Sequence, residues 1–220
     1  MGDLLFDVFN TIILVLIAIF SFHAYKCIKS NTGVCNKRFL LIGFSFAVLA
    51  FAFLLKGFAD YTVASSPIHA INVMNITDMS FKSICTIGGF IVHRIITLLA
   101  LTMLYFLVIK EKTLAKLTVL ALVLLNAILF AQNLVVFSAT SSILLFFIGL
   151  QYWKDYSKTK NKNQKLISLS FIIVAISYLM FALLDFSSSF YVVAKLLRAL
   201  GFILLLISFM RVFYHGKKKK

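Results

Sequence analysis

Arg94, Lys195 and Arg198 interrupt long apolar runs, where an ionised side chain is costly and marks a site. His93 adjoins Arg94, and Tyr191 stands one helical turn before Lys195. Lys56 and Asp60 lie near the end of another apolar run, spaced to share one helix face. Asp185 takes the matching place at the end of a later run. Brought together, these residues form a ligand-binding pocket with more positive than negative charge, which favours an anion. The competing arrangement is structural. Lys195 and Arg198 then reach outward to the membrane interface and pair with Asp185 or Asp60.

Other chemistry finds little support. No Ser-His-Asp grouping can be assembled and no carboxylates pair within an apolar run, so neither a hydrolase nor a proton pump is expected. No catalytic residue is assigned and the chain is read as a non-enzyme. Cys27, Cys35 and Cys85 lack the paired spacing of a zinc site. Haem between helices needs two histidines at matching depth, and neither His23, His69 nor His215 matches His93. No metal and no cofactor is expected.

The elements that must position the candidate residues are helices in lipid. The 220 residues are 62% hydrophobic and 13% charged, whereas a soluble domain is about half apolar and about a quarter charged. The apolar excess lies in runs long enough for spans of about 20 residues. We expect an all-α, integral membrane, seven-helix bundle. Its spans are near 4–25, 39–58, 83–109, two within 117–153, 166–184 and 190–214. The turn inside 117–153 is expected near 132–142, where Gln, Asn, Ser and Thr gather, although a re-entrant hairpin also fits there. Residues 26–38, 110–116 and 154–165 read as loops.

Charge sets the expected orientation. The three loops and the GKKKK tail are rich in Lys and Arg, which places them inside. The opposite segments hold Asp3, Asp7, Asp60, Asp78 and Asp185, so the N-terminus is expected outside and the C-terminus inside. The net charge of +15 is therefore a topology signal, and nucleic acid is not an expected partner. Lys217 to Lys220 suit anionic lipid and also look like a dilysine retrieval signal, so a cell membrane or, in a eukaryote, the endoplasmic reticulum is the expected location.

The chain also repeats itself. Ser45-Phe46 aligns with Ser170-Phe171, which brings Asp60 opposite Asp185. The next helix brings Arg94 opposite Arg198, and His23 to Lys26 aligns with Gln151 to Lys154. The expected organisation is parallel, three plus one plus three: a first repeat over 1–116, a connector helix over 117–136 and a second repeat over 137–220. This pattern resembles the SWEET-type sugar transporters and their PQ-loop relatives, whose parallel repeats imply transport by rocking halves. The Pro-Gln motif is absent, and the single proline, Pro67, lies in a loop. Val193-Ala194-Lys195 looks like the retinal-binding lysine segment of microbial rhodopsins. That resemblance would imply retinal on Lys195, but the third span has no carboxylate counter-ion and the only tryptophan, Trp153, is at the inner boundary.

The function expected from these readings is a small-solute or ion carrier, or a ligand-binding module, with an outward-facing cationic pocket. Its partners would be the bilayer and a small anion. The alternatives are a seven-helix sensor or receptor-like module and a structural subunit, either of which needs a membrane partner or a second copy of the chain.

Overall fold

The computed structural model describes residues 2–32, 37–64, 81–109, 119–121, 123, 133–183 and 189–217. Among these residues every long element is a helix: α1 (Gly2–Thr32), α2 (Lys37–Ala64), α3 (Phe81–Val108), α4 (Leu134–Thr159), α5 (Lys162–Ala182) and α6 (Ser189–Lys217). All six are long and apolar enough to cross a membrane. The expected connector span lies largely outside the described residues, within which 119–121 and 123 are helical.

Burial follows the logic of a lipid-facing protein. Ile12, Phe44, Phe51, Leu54, Ile143, Leu196 and Leu200 point outward. Ser21, Ser45, Thr97, Ser141, Ser168 and Ser208 are buried within the bundle. A water-soluble helix would reverse those faces. Several hydroxyls inside the spans are satisfied locally: Ser21 donates to the Ile17 carbonyl at 2.8 Å, and Ser45 and Ser170 donate to the Leu41 and Leu166 carbonyls at 2.9 and 2.7 Å. With six apolar helices, an outer surface of carbon and an interior that holds the small polar groups, the chain is a polytopic integral membrane protein.

Each helix packs on its neighbours in sequence, and α6 returns to α1, so the described helices form a closed ring. Small residues set two of the crossings. At α1 against α2, a Cβ added to Gly43 would stand 3.1 Å from the Ser21 Cβ. At α4 against α5, Ser168 donates to the Gly149 carbonyl at 2.7 Å. Ser142 donates across the same interface to the Ala175 carbonyl at 2.8 Å. Such interhelical bonds in membranes contribute about 0.6 kcal/mol each. The ring's centre is filled by Phe46, Leu49, Leu101, Phe171, Val174 and Phe202.

Several expected boundaries are corrected. Residues 26–32 extend α1, and 154–159 extend α4, because lysine-rich segments propagate a helix well once its apolar part has nucleated it. The expected loop over 154–165 shrinks to a turn at Lys160 and Asn161. The expected turn over 132–142 is helix from Leu134 onward, with Asn133 as its cap. There Asn133 Oδ1 accepts from the Val135 and Val136 amides at 3.0 and 3.2 Å. Residues 59–64 belong to α2. The expected outer loop over 59–82 is therefore helical at both ends, in α2 to Ala64 and in α3 from Phe81, and its middle, with the expected inner loop over 110–116, lies outside the described residues.

Lys160 ends α4 in the left-handed region, at φ 53° and ψ 22°, a conformation that costs a side-chain-bearing residue about 1 kcal/mol. Lys160→Gly is therefore expected to raise stability by about 1 kcal/mol. The unfolding midpoint in mild detergent reads this out, and a fall would mean that the Lys160 ammonium over the Tyr156 ring, 5.7 Å from its centroid, outweighs the backbone gain.

Candidate ligand-binding cavity

One end of the ring is polar inside. It is the end where α1, α3, α4 and α6 are near their first turns and α2 and α5 near their last. A cavity of about 230 Å³ opens there. Its wall carries Lys56 and Asp60 from α2, His93 and Arg94 from α3, and Tyr191, Lys195 and Arg198 from α6. All the sequence-expected site residues except Asp185 thus stand around one hollow. Asp185 lies outside the described residues. The rest of the wall is mostly carbon: Phe90, Leu134, Phe137, Phe181 and the Tyr178 ring.

The cations are held in place. Arg198 and Lys195 are buried, at 4% and 3% exposure, although each sits in a membrane-spanning helix. Arg198 lies between two aromatic faces, its Cζ 5.0 Å from the ring centroids of both Phe53 and Phe181. Lys195 Nζ sits 4.3 Å from the Tyr191 centroid. Arg94, half-buried, has its Cζ 5.8 Å from the Phe137 centroid. Both side chains are buried within the bundle, and the pairing with Asp185 expected in the structural arrangement lies outside the described residues.

The counter-charge of Arg198 and Lys56 is a residue that the sequence analysis reads only as an orientation signal. Asp7 is completely buried on α1. Its Oδ1 accepts from Arg198 Nη2 at 3.3 Å, and its Oδ2 accepts from Lys56 Nζ. Lys56 Nζ also donates to Asp60 Oδ2 at 3.1 Å, one turn along α2. One carboxylate therefore ties α1 to α2 and α6 just behind the cavity wall. The expected Asp60 pairing goes to Lys56 and not to Lys195 or Arg198.

His93 has a positional role that its place in the sequence did not reveal. Its Nδ1 donates to the Ala52 carbonyl at 2.7 Å and so pins α3 to α2. A ring nitrogen facing a carbonyl must carry the proton. The imidazole packs edge-on against Phe53, centroids 5.5 Å apart.

Two polar atoms of residues in the wall are themselves buried and have no hydrogen-bond partner among the described residues: Arg198 Nε and Ser138 Oγ. Both residues are more than nine-tenths buried and both line the cavity. Ser138 and Phe137 fall within the expected turn over 132–142, and Tyr178 is not among the sequence-expected site residues. The arrangement as a whole can hold a small anion among fixed cations, with aromatic carbon around it. No protein-family model, curated protein or solved structure matches this chain.

Proposed function

We propose that the cavity binds a small anionic solute and that the protein carries it across the membrane. The carrying observation is the convergence of Lys56, Arg94, Lys195 and Arg198, from three separate helices, on one hollow of about 230 Å³. An ionisable residue in a span is costly, and four of them turned toward a common space call for a ligand or ion that uses them. Among the described residues, Asp7 and Asp60 face Arg198 and Lys56.

The opposite end of the ring carries Lys26, Arg38, Lys154, Lys158, Lys162 and Lys165. By the positive-inside rule that end faces the cytoplasm and the cavity opens outward, with the N-terminus outside. Transport then requires two arrangements of the bundle. We read α1–α3 and α4–α6 as parallel halves that can rock against each other. Support comes from equivalent positions. The alignment that pairs Ser45 with Ser170 also pairs Gly43 with Ser168, and the one that pairs His23 with Gln151 pairs Ser21 with Gly149. Both halves thus place one Gly and one Ser at the same crossing, in opposite order. Arg94 and Arg198, which stand opposite each other only after a gap in that alignment, both line the cavity.

Proteoliposomes provide the test. Wild-type protein is expected to raise the entry rate of chloride, inorganic phosphate or a small carboxylate at least tenfold over protein-free vesicles. Arg94→Ala and Arg198→Ala are each expected to remove most of that increment. Equal flux in wild type and both variants would take these residues out of the mechanism.

A further inference from the structure

At the end of the ring away from the cavity, we infer that the turn joining α4 to α5 binds the headgroup of an anionic phospholipid. The turn and the helix ends beside it carry five lysines, Lys154, Lys158, Lys160, Lys162 and Lys165, against one aspartate, Asp155. All five lysines are exposed. Among the described residues the ion pairs lie at the cavity end, and none involves this turn. By the positive-inside rule the turn faces the cytoplasm, where the leaflet is negative. The inference is independent of what the cavity binds.

Depth sets the lysines among headgroups. The uncharged part of α4, Leu134 to Trp153, is about 30 Å long, which matches a hydrocarbon core. Lys154 stands at the edge of that core. Lys158 lies about 6 Å farther out, within a headgroup layer of about 5–7 Å. On α5 the uncharged part, Leu166 to Ala182, is about 26 Å long, and Lys165 and Lys162 precede it. Trp153 and Tyr156, ring centroids 5.7 Å apart, mark the interface between core and headgroups.

The helix faces point the same way. On α4, Ile143, Phe147 and Leu150 turn out of the bundle, and Lys154 and Lys158 continue their stripe at spacings of four. On α5, Leu179, Ile176 and Leu169 lead likewise to Lys165 and Lys162. Each lipid-facing stripe thus ends in a pair of lysines, whose stems lie along apolar surface while the ammonium heads reach the phosphates. The positive-inside rule explains why lysines gather at this end, but it counts charge without regard to helix face. A soluble partner would meet the tip of the turn, where Lys160 alone sits.

The cations are also gathered before any ligand arrives. The turn is only Lys160 and Asn161. The Lys160 amide donates to the Tyr156 carbonyl at 2.7 Å, and Asn161 Oδ1 accepts from the Asn163 amide at 3.0 Å. The Lys160 and Lys165 ammonium groups stand 5.7 and 5.9 Å from the Tyr156 ring centroid. A headgroup therefore meets a short rigid hairpin and does not have to order a loop.

The chain's only tryptophan, Trp153, is exposed beside Lys154, so its fluorescence reads the lipid at this spot. Full-length protein is placed in symmetric vesicles of phosphatidylcholine and phosphatidylserine, with one or the other lipid carrying brominated chains that quench tryptophan on contact. Brominated phosphatidylserine is expected to quench as though bound about tenfold more tightly than brominated phosphatidylcholine. Lys158→Gln combined with Lys162→Gln, both at exposed positions, is expected to cut that preference about fivefold. Lys26→Gln removes a charge at the same end from α1, which packs against neither α4 nor α5, and is expected to leave the preference unchanged. A loss confined to the double variant upholds the site. Equal quenching by the two lipids overturns it. A preference that survives in the double variant, or falls as far in Lys26→Gln, also overturns it, because the charge then acts diffusely. Relief of quenching by water-soluble glycerophosphoserine overturns the lipid assignment in favour of a soluble anion.

Discussion

Asp7→Asn is expected to destabilise the folded protein by about 3 kcal/mol in mild detergent, the largest effect of any single substitution near the cavity. The carboxylate is fully buried and accepts from both Arg198 and Lys56. Removing its charge leaves two cations facing each other with one partner fewer. Breaking a buried pair costs roughly 3–5 kcal/mol because the remaining ion keeps its desolvation penalty. The lower end applies here, because Lys56 is 20% exposed and keeps Asp60 at 3.1 Å. Asparagine is nearly the same size, so the loss reflects charge and not a cavity. The expected rescue is equally specific: Asp7→Leu combined with Arg198→Met removes both charges together and should recover most of the loss, since apolar replacements of a buried pair are often neutral or better. Chemical unfolding midpoints measure both. A change below about 0.5 kcal/mol in Asp7→Asn would mean that the aspartate does not hold these helices together.

That residue also marks where reading the sequence stopped short. Lys56, Arg94, Lys195 and Arg198 are conspicuous because a charge within an apolar run is costly enough to need a reason. Asp7 stands a few residues from the chain's start, where an acid near a helix end reads as an orientation signal. Only the packing of α6 on α1 brings Arg198 to it, and that closure joins residues 191 positions apart. No local pattern carries such information.

Ser138 and Phe137 were obscured for a different reason. A cluster of Asn, Ser and Thr signals a turn in water, where these side chains compete with the backbone. In a membrane the same hydroxyls turn back onto their own helix, as Thr140 does to the Val136 carbonyl at 2.8 Å. The helix then begins at Asn133 and carries Phe137 and Ser138 into the cavity. Span existence was legible throughout the described helices because hydropathy integrates over many residues. Span ends were not, because Lys-rich segments leave the membrane without leaving the helix.

The proposed equivalence of the two halves leads to an exchange experiment. Gly43→Ser alone is expected to cost about 2 kcal/mol, since its Cβ would lie 3.1 Å from the Ser21 Cβ and 3.3 Å from the Ala18 carbonyl oxygen. Ser21→Gly alone is expected to cost about 1 kcal/mol through lost helix propensity. Together they recreate in the first half the order found at α4 and α5, where Ser168 donates to the Gly149 carbonyl at 2.7 Å. A hydroxyl at position 43 would then have the Ala18 carbonyl oxygen within reach, 3.3 Å from its Cβ, and the closest contact would be gone. The double variant should therefore sit near wild type, with a coupling of at least about 1 kcal/mol between the sites. Gly88→Ala serves as control. An added Cβ there meets nothing within 4 Å, so it should be neutral or stabilising by up to about 1 kcal/mol. Additive losses at positions 21 and 43 would mean that the two crossings are built differently, and the rocking of matched halves would lose its structural basis.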